Sequence, residues 1–294
     1  MSKKLAHLLE TGFLLLLFAI FRILPLDWGS ALGGKLGQLI GPRLKWHKIA
    51  TYNLTRAFPD WDDAKRDKTL HLMWNNLGRT FAETPWLGHL RLAKRVEITN
   101  ESSQLIAATK EAEKPCIFFG AHLANWEIIP WVGALENIEI TSIYRHLNNP
   151  YVEKIYYRIR KRYCPELHPK GKHGARALLK AMSKNSHAGL LVDQKQNDGE
   201  KVEFFGNPAP TSTAAAEMAL RFNASLAAIR CIRQKGANFT IEVQELTLPK
   251  NCDTLEAMHL INQQIEAWVT EHPEQWLWVH QRWGKLSELP TISM

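Results

Sequence analysis

Cysteine is scarce in this chain of 294 residues: the four thiols, Cys116, Cys164, Cys231 and Cys252, stand at irregular intervals, and none belongs to a CxxC pair. That usage argues for a reducing compartment and against a zinc site. Other marks are missing too. There is no GxSxG elbow, no P-loop or GxGxxG and no HExxH, so a serine hydrolase, an NTPase, a dinucleotide enzyme and a zinc protease all lack their usual signatures. The histidines outside one motif are scattered without ligand spacing. No repeat or low-complexity tract interrupts the chain, and no small-x-small cleavage site follows the apolar N-terminus, where Pro25, Leu26 and Asp27 stand; this disfavours a cleaved signal peptide.

Acids are nearly absent from one stretch. Between Arg145 and Lys184 eleven Lys/Arg stand against two acids, Glu153 and Glu166, so a net +9 sits in this segment of a chain whose total is +8. A focused positive field suits an anionic partner, whether phosphates, an acidic carrier protein or an anionic membrane surface.

The chain begins with Lys3 and Lys4 and then an apolar block from Gly12 to Phe21, bounded by Glu10 and Arg22. Its charge-free centre of eleven residues is short for a secure span, so the helix is expected to lie in, or dip into, one leaflet. Glycines then recur every four residues, at Gly29, Gly33, Gly37 and Gly41. On a helix they make one smooth face, expected to pack tightly on a neighbour in the same chain. Arg43, Lys45, His47 and Lys48 follow, able to meet lipid phosphates or simply to face water.

From Thr51 to Leu92 the pattern is helical, broken at Phe58, Pro59 and Asp60, with Asp60 or Asp62 able to cap the second segment. After it, strands alternate with helices: strands at 96–99, 116–119, 138–144, 189–193, 226–232 and 239–246, helices ending near Ala112, starting at Asn125, and over 149–163, 173–183 and 211–223. This alternation predicts an α/β fold, a mixed central sheet flanked by helices and preceded by an N-terminal membrane-associated helical region. The expected organisation is a membrane anchor helix over 1–26, a helical region packed on the core over 27–95 and the α/β core over 96–294.

The stretch with most chemistry is Gly120 to Glu127. A buried strand ends at Phe119, Gly120 and Ala121 let the backbone turn, and Asn125, Trp126 and Glu127 open a helix. On one continuous helix His122 and Glu127 would point about 140° apart. Across a turn they can meet, and a carboxylate that fixes the imidazole tautomer lets the other nitrogen take a proton from a hydroxyl. Read blandly, His122 is a turn histidine and Glu127 a first-turn acid. Past another apolar strand stand Asp193 and Gln194, at the sheet edge where open α/β sheets gather ligands, so Asp193 is able to face the His122 pocket. Arg145, Arg158 and Arg160 are candidates to grip phosphate through paired N–H donors. On the helix carrying the last two, Val152, Tyr156, Ile159 and Tyr163 make the buried stripe.

With these segments assembled, the sequence resembles the bacterial lipid A biosynthesis late acyltransferases, within the wider superfamily of histidine-x4-acid acyltransferases. The resemblance is carried by the N-terminal apolar helix, Asn53 to Pro59, Gly120 to Glu127, Tyr144 and Arg145 with Asn149 and Pro150, Leu191 to Gln194, Phe204 to Gly206 followed by Thr211, and Pro273 to His280. One departure is that the superfamily's usual acid is Asp, where this chain has Glu127. The resemblance implies an inner-membrane enzyme facing the cytoplasm that moves a fatty acyl chain from acyl carrier protein to a hydroxyl of a lipid A precursor. It implies His122 and Glu127 as catalytic residues, no cofactor or metal and no nucleic-acid partner. The rivals are a glycerol-phosphate type acyltransferase, whose Pro-Glu-Gly-Thr type block is absent at Val192, Asp193 and Gln194, and a non-catalytic protein that binds anionic lipid.

Overall fold

The computed structural model describes residues 2–285; the expected core ran to 294, and its positions 286–294 lie outside the described residues. The first part is helical: α1 (Lys3–Ile23), α2 (Leu26–Ile40), α3 (Lys45–Ala57), α4 (Asp63–Glu83) and the single turn α5 (Leu90–Ala93). Of the two acids able to cap α4, Asp62 does so, its side chain accepting from the Lys65 N–H at 2.7 Å. In α1, Leu14, Phe18 and Phe21 recur at helical spacing and are buried, while Leu9, Phe13, Leu16 and Ile23 on the remaining faces are exposed.

Within the glycine ladder Gly33 and Gly37 seat α2 on α4, while Gly29 meets the Phe21 backbone of α1. A Cβ at Gly37 would stand 2.1 Å from the Trp74 carbonyl oxygen, and one at Gly78 2.2 Å from that of Gly33. Backbone therefore lies on backbone, which only hydrogen in place of Cβ permits, and the partner is the chain's own helix.

The remainder is β1 (Val96–Ile98), α6 (Asn100–Glu111), β2 (Cys116–Gly120), α7 (Val132–Leu135), β3 (Ile140–Tyr144), α8 (Pro150–Arg160), β4 (Leu167–Pro169), α9 (Lys172–Met182) and β5 (His187–Leu191), then β6 (Glu200–Phe204), β7 (Asn207–Thr211), α10 (Ala214–Phe222), β8 (Ser225–Arg233), β9 (Phe239–Leu246) and α11 (Thr254–Glu271). Seven strands form one sheet in the order β1-β9-β8-β2-β5-β3-β4. All neighbours are parallel except β8 and β9, so β1 and β9 run against the other five, and the mixed sheet is as expected. Strand β2 is buried on both faces, as its unbroken apolar run requires. Ile117 and Phe119 point into the core built with α3, α4, α9, α10 and α11, and Cys116 and Phe118 into the one built with α1, α6 and α8.

Three local features differ from expectation. The helix expected from Asn125 is a 3-10 turn, Trp126–Trp131, because Pro130 inside it offers no N–H to continue an α-helix. Strand β4 is three residues at the sheet edge, too short to leave a pattern. The hairpin β6–β7 was unforeseen, because its two-residue turn is Phe205-Gly206, both at positive φ (51° and 65°), rather than the usual Asn-Gly.

Candidate active site

The sheet brings the key residues together by register. Strands β2 and β5 are parallel neighbours with Gly120 opposite Leu191. Two residues beyond each strand end stand His122 and Asp193, and they meet: His122 Nδ1 lies 2.7 Å from Asp193 Oδ1, and the His122 backbone N–H donates to Oδ2 at 2.9 Å. The Trp276 indole N–H also donates to Oδ2, at 2.8 Å. Burial alone would raise this carboxyl, but the His122 charge and the hydrogen bonds from His122 and Trp276 outweigh it and hold Asp193 at about 2. An ionised Asp193 only accepts, so Nδ1 carries the proton and Nε2 is left as the basic nitrogen. That nitrogen accepts from the Gln194 side-chain amide, 3.1 Å away.

The expected pairing of His122 with Glu127 is therefore not the one the side chains make. Glu127 turns to Arg160, which donates to it through Nε at 2.8 Å and through Nη2 to the other oxygen. The Tyr163 hydroxyl stands 3.5 Å from the same carboxylate. The 3-10 turn sends Glu127 toward α8, while both imidazole nitrogens already have partners. Burial opposes the Arg160 charge, but the adjacent Glu127 carboxylate more than offsets it and raises the guanidinium's pKa. Burial, and then Glu127, push the Tyr163 phenol well up, so it remains a donor.

A backbone strain marks the turn. Ala124 has φ 48°, a left-handed conformation that residues with a Cβ seldom adopt. Its carbonyl accepts from Thr80 Oγ1 at 3.0 Å and Asn76 Nδ2 at 3.3 Å, and its N–H donates to the Gln275 carbonyl at 2.9 Å. Behind these lies Glu83, fully buried. It accepts from Ser30 Oγ at 2.7 Å, Asn125 Nδ2 at 2.8 Å and both terminal nitrogens of Arg233, at 2.5 and 3.0 Å. Helix α4, through Asn76, Thr80 and Glu83, thus fixes the loop from below.

In front of the turn opens a cavity of about 580 Å³. Phe13, Leu14 and Leu17 of α1 and Phe81 of α4 supply its apolar wall, and His122, Glu127, Arg160 and Gln194 its polar end. Helix α1 is held there by α8, whose capping residue Asn149 donates to the His7 carbonyl at 2.9 Å and to Glu10 at 3.0 Å. Arg145 and Arg158 are exposed and outside this lining. His280 supports the loop from the far side, accepting from the Lys195 N–H at 2.9 Å; burial pushes it down to about 4, which keeps it neutral.

Sequence reasoning thus placed His122, Glu127, Arg160, Asp193 and Gln194 at one site and missed Glu83, Trp276 and the strained Ala124. The hint of the pairing of His122 with Asp193 in the sequence was that both follow apolar strands toward the sheet edge where open α/β sheets gather ligands. For Trp276 and Glu83 no local signal exists, since their partners lie 83 and up to 150 residues away.

Comparison with known proteins adds an independent line. The family described as bacterial lipid A biosynthesis acyltransferase matches residues 1–285. A lipid A biosynthesis acyltransferase of Haemophilus influenzae is 24% identical over 277 residues, 91% of this chain and 84% of that protein. Lipid A biosynthesis acyltransferase 2 of Shigella flexneri is 22% identical over 279 residues, 92% of this chain and 88% of that protein.

Proposed function

The chain belongs to the bacterial lipid A biosynthesis acyltransferase family, and from that premise we propose that it transfers a fatty acyl chain from an acyl carrier protein thioester to a hydroxyl of a lipid A precursor, with His122 as general base. The observation that carries the reading is an imidazole with its Nδ1 fixed on an ionised carboxylate and its Nε2 turned to a cavity walled by apolar side chains. The acceptor hydroxyl displaces the Gln194 amide from Nε2 and gives its proton to His122 as its oxygen attacks the thioester carbon. A C–O bond forms, the C–S bond breaks, and the proton on His122 passes to the departing thiolate. The Arg160 guanidinium, aimed by Glu127, and the displaced Gln194 amide, both on the cavity lining with His122, donate to the developing oxyanion. Asp193 and Glu127 are positioning residues in this scheme, one for His122 and one for Arg160.

The acyl chain lies along Phe13, Leu14 and Leu17, which ties α1 to catalysis as well as to the membrane. Helix α1 has 21 residues and an 18-residue window of mean hydropathy 1.8, and only 22% of that window is buried. Held on one side by α8, it embeds its outer face in the cytoplasmic leaflet of the inner membrane. The acidic carrier protein meets the basic surface that includes Arg145 and Arg158. The test is acyl transfer from acyl carrier protein to a tetra- or penta-acylated lipid A precursor in detergent. Turnover that His122→Ala abolishes with the fold intact supports the scheme; near wild-type turnover in that variant defeats it. Lipid binding with no turnover by the wild type favours the non-catalytic rival.

A further inference from the structure

At the carboxyl end of α1 two arginines from distant parts of the chain meet at Trp86, and a third stands beside them. The Arg22 guanidinium carbon lies 3.9 Å from the centre of the Trp86 ring and that of Arg91 5.7 Å. Trp86 is a fixed platform: it is buried, and its indole N–H donates to the Phe21 carbonyl at 3.1 Å. The third arginine arrives from the segment after α8. Arg162 covers Gly88, where an added Cβ would meet the Arg162 Cβ at 3.2 Å, and both Arg91 and Arg162 act on Arg22 as repelling charges. His89 stands edge-on to Trp86 with ring centres 5.5 Å apart. Partial burial, and then the fields of Arg22, Arg91 and Arg162, hold its imidazole below the ordinary range.

None of the three arginines has a carboxylate partner among the described residues, whereas Arg95, Arg160 and Arg233 each have one and Arg230 has two. All three are exposed. Convergent like charges with no internal counter-ion repel one another, and an external anion relieves that repulsion while guanidinium forks suit the oxygens of phosphate. The surroundings indicate what carries the anion. Ile23 is 83% exposed and Trp28 70% exposed, so the cluster borders an apolar surface continuous with the outer face of α1. Leu17 of the cavity wall is five residues before Arg22, about 8 Å along the helix.

We propose that Arg22, Arg91 and Arg162 form a site for a phosphate group carried on a lipid, holding the headgroup at the membrane surface beside the cavity. This rests on the function proposed above only in so far as that lipid is the acyl acceptor; a phosphate of the surrounding membrane lipid has the same chemistry. The site is tested with the double variant Arg91→Gln/Arg162→Gln, both side chains being exposed, and with the triple variant that adds Arg22→Gln, thermal unfolding being followed in each. One arm measures KM and kcat for a phosphorylated lipid A precursor and for its dephosphorylated form in neutral detergent. The other measures flotation with vesicles of phosphatidylcholine alone or with phosphatidic acid.

A rise in KM of about tenfold or more for the phosphorylated acceptor, with kcat retained and the dephosphorylated form unaffected, places the acceptor's phosphate in the site. A loss of about tenfold in binding to phosphatidic acid vesicles with KM unchanged assigns the site to membrane headgroups. KM and flotation both equal to wild type overturn the proposal. Should the wild type turn over no acceptor, the proposed function falls, and the flotation arm still decides this site alone.

Discussion

Two carboxylate–arginine pairs flank the His122 turn, and they differ in what surrounds them. Glu83 and Arg233 have side chains 0% and 7% exposed, and Ser30, Asn125, Asn76 and Thr80 occupy their remaining hydrogen-bonding positions. Glu127 and Arg160 are 11% and 16% exposed and border the cavity, and among the described residues the carboxylate's further hydrogen-bonding partner is the distant Tyr163 hydroxyl. The same chemical pair thus serves two ends. Enclosed and saturated with partners, it fixes the backbone of a strained loop. Open on one side, it leaves a positioned cation facing the cavity.

The contrast is broken most severely from its buried side. Glu83→Ala leaves the Arg233 charge without its partner in the interior, so unfolding free energy should fall by about 3–5 kcal/mol. Urea unfolding checks this, and activity per folded molecule should fall less than in the cavity pair, since Asn76 and Thr80 still hold the Ala124 carbonyl. The cavity pair should behave oppositely. Glu127→Gln should lower acyl transfer by about a hundredfold while moving the thermal midpoint little, as read from parallel kinetics and melting. Arg160→Lys, which keeps the charge and loses the fork, should fall in between.

Asp193 sharpens the comparison through pH. Its carboxyl is held at about 2 in the folded protein, below the ordinary value of about 3.9. The stability it contributes is therefore fully present above the ordinary value and is lost as the pH falls from about 4 toward about 2. The difference in unfolding midpoint between wild type and Asp193→Asn should shrink across that window; a difference unchanged from pH 6 to 2 would speak against the buried ionised carboxylate. The smallest effect belongs to Tyr163→Phe. At 3.5 Å its hydroxyl is at the limit of a hydrogen bond to Glu127, so turnover should drop by no more than about fivefold.

Much of the fold was legible because hydrophobic period and glycine spacing are local. The run Ile117 to Phe119 reads as a buried strand and is one, and glycines every four residues read as a packing face and are one. What escaped was set by long-range register. That Asp193 rather than Glu127 takes His122 Nδ1 depends on β2 and β5 being neighbours, which no residue near position 122 announces. Pro130 was visible, but its effect, a 3-10 turn that aims Glu127 at α8, belongs to the turn's geometry and not to its composition. Of the arginines at 22, 91 and 162 the sequence reading singled out Arg22 alone, as a bound of the apolar block, and the packing of α1 on Trp86 is what brings it to Arg91.

The most direct measurement is the pH dependence of kcat/KM for acyl transfer in Asp193→Asn and in Glu127→Gln. With His122 oriented by Asp193, Asp193→Asn should lose about a hundredfold or more and shift the acidic limb of the profile, where protonation of the base ends turnover, whereas Glu127→Gln should lower the rate without moving that limb. Asp193→Asn at wild-type rates, with the limb displaced in Glu127→Gln instead, would contradict the assignment and return Glu127 to the histidine.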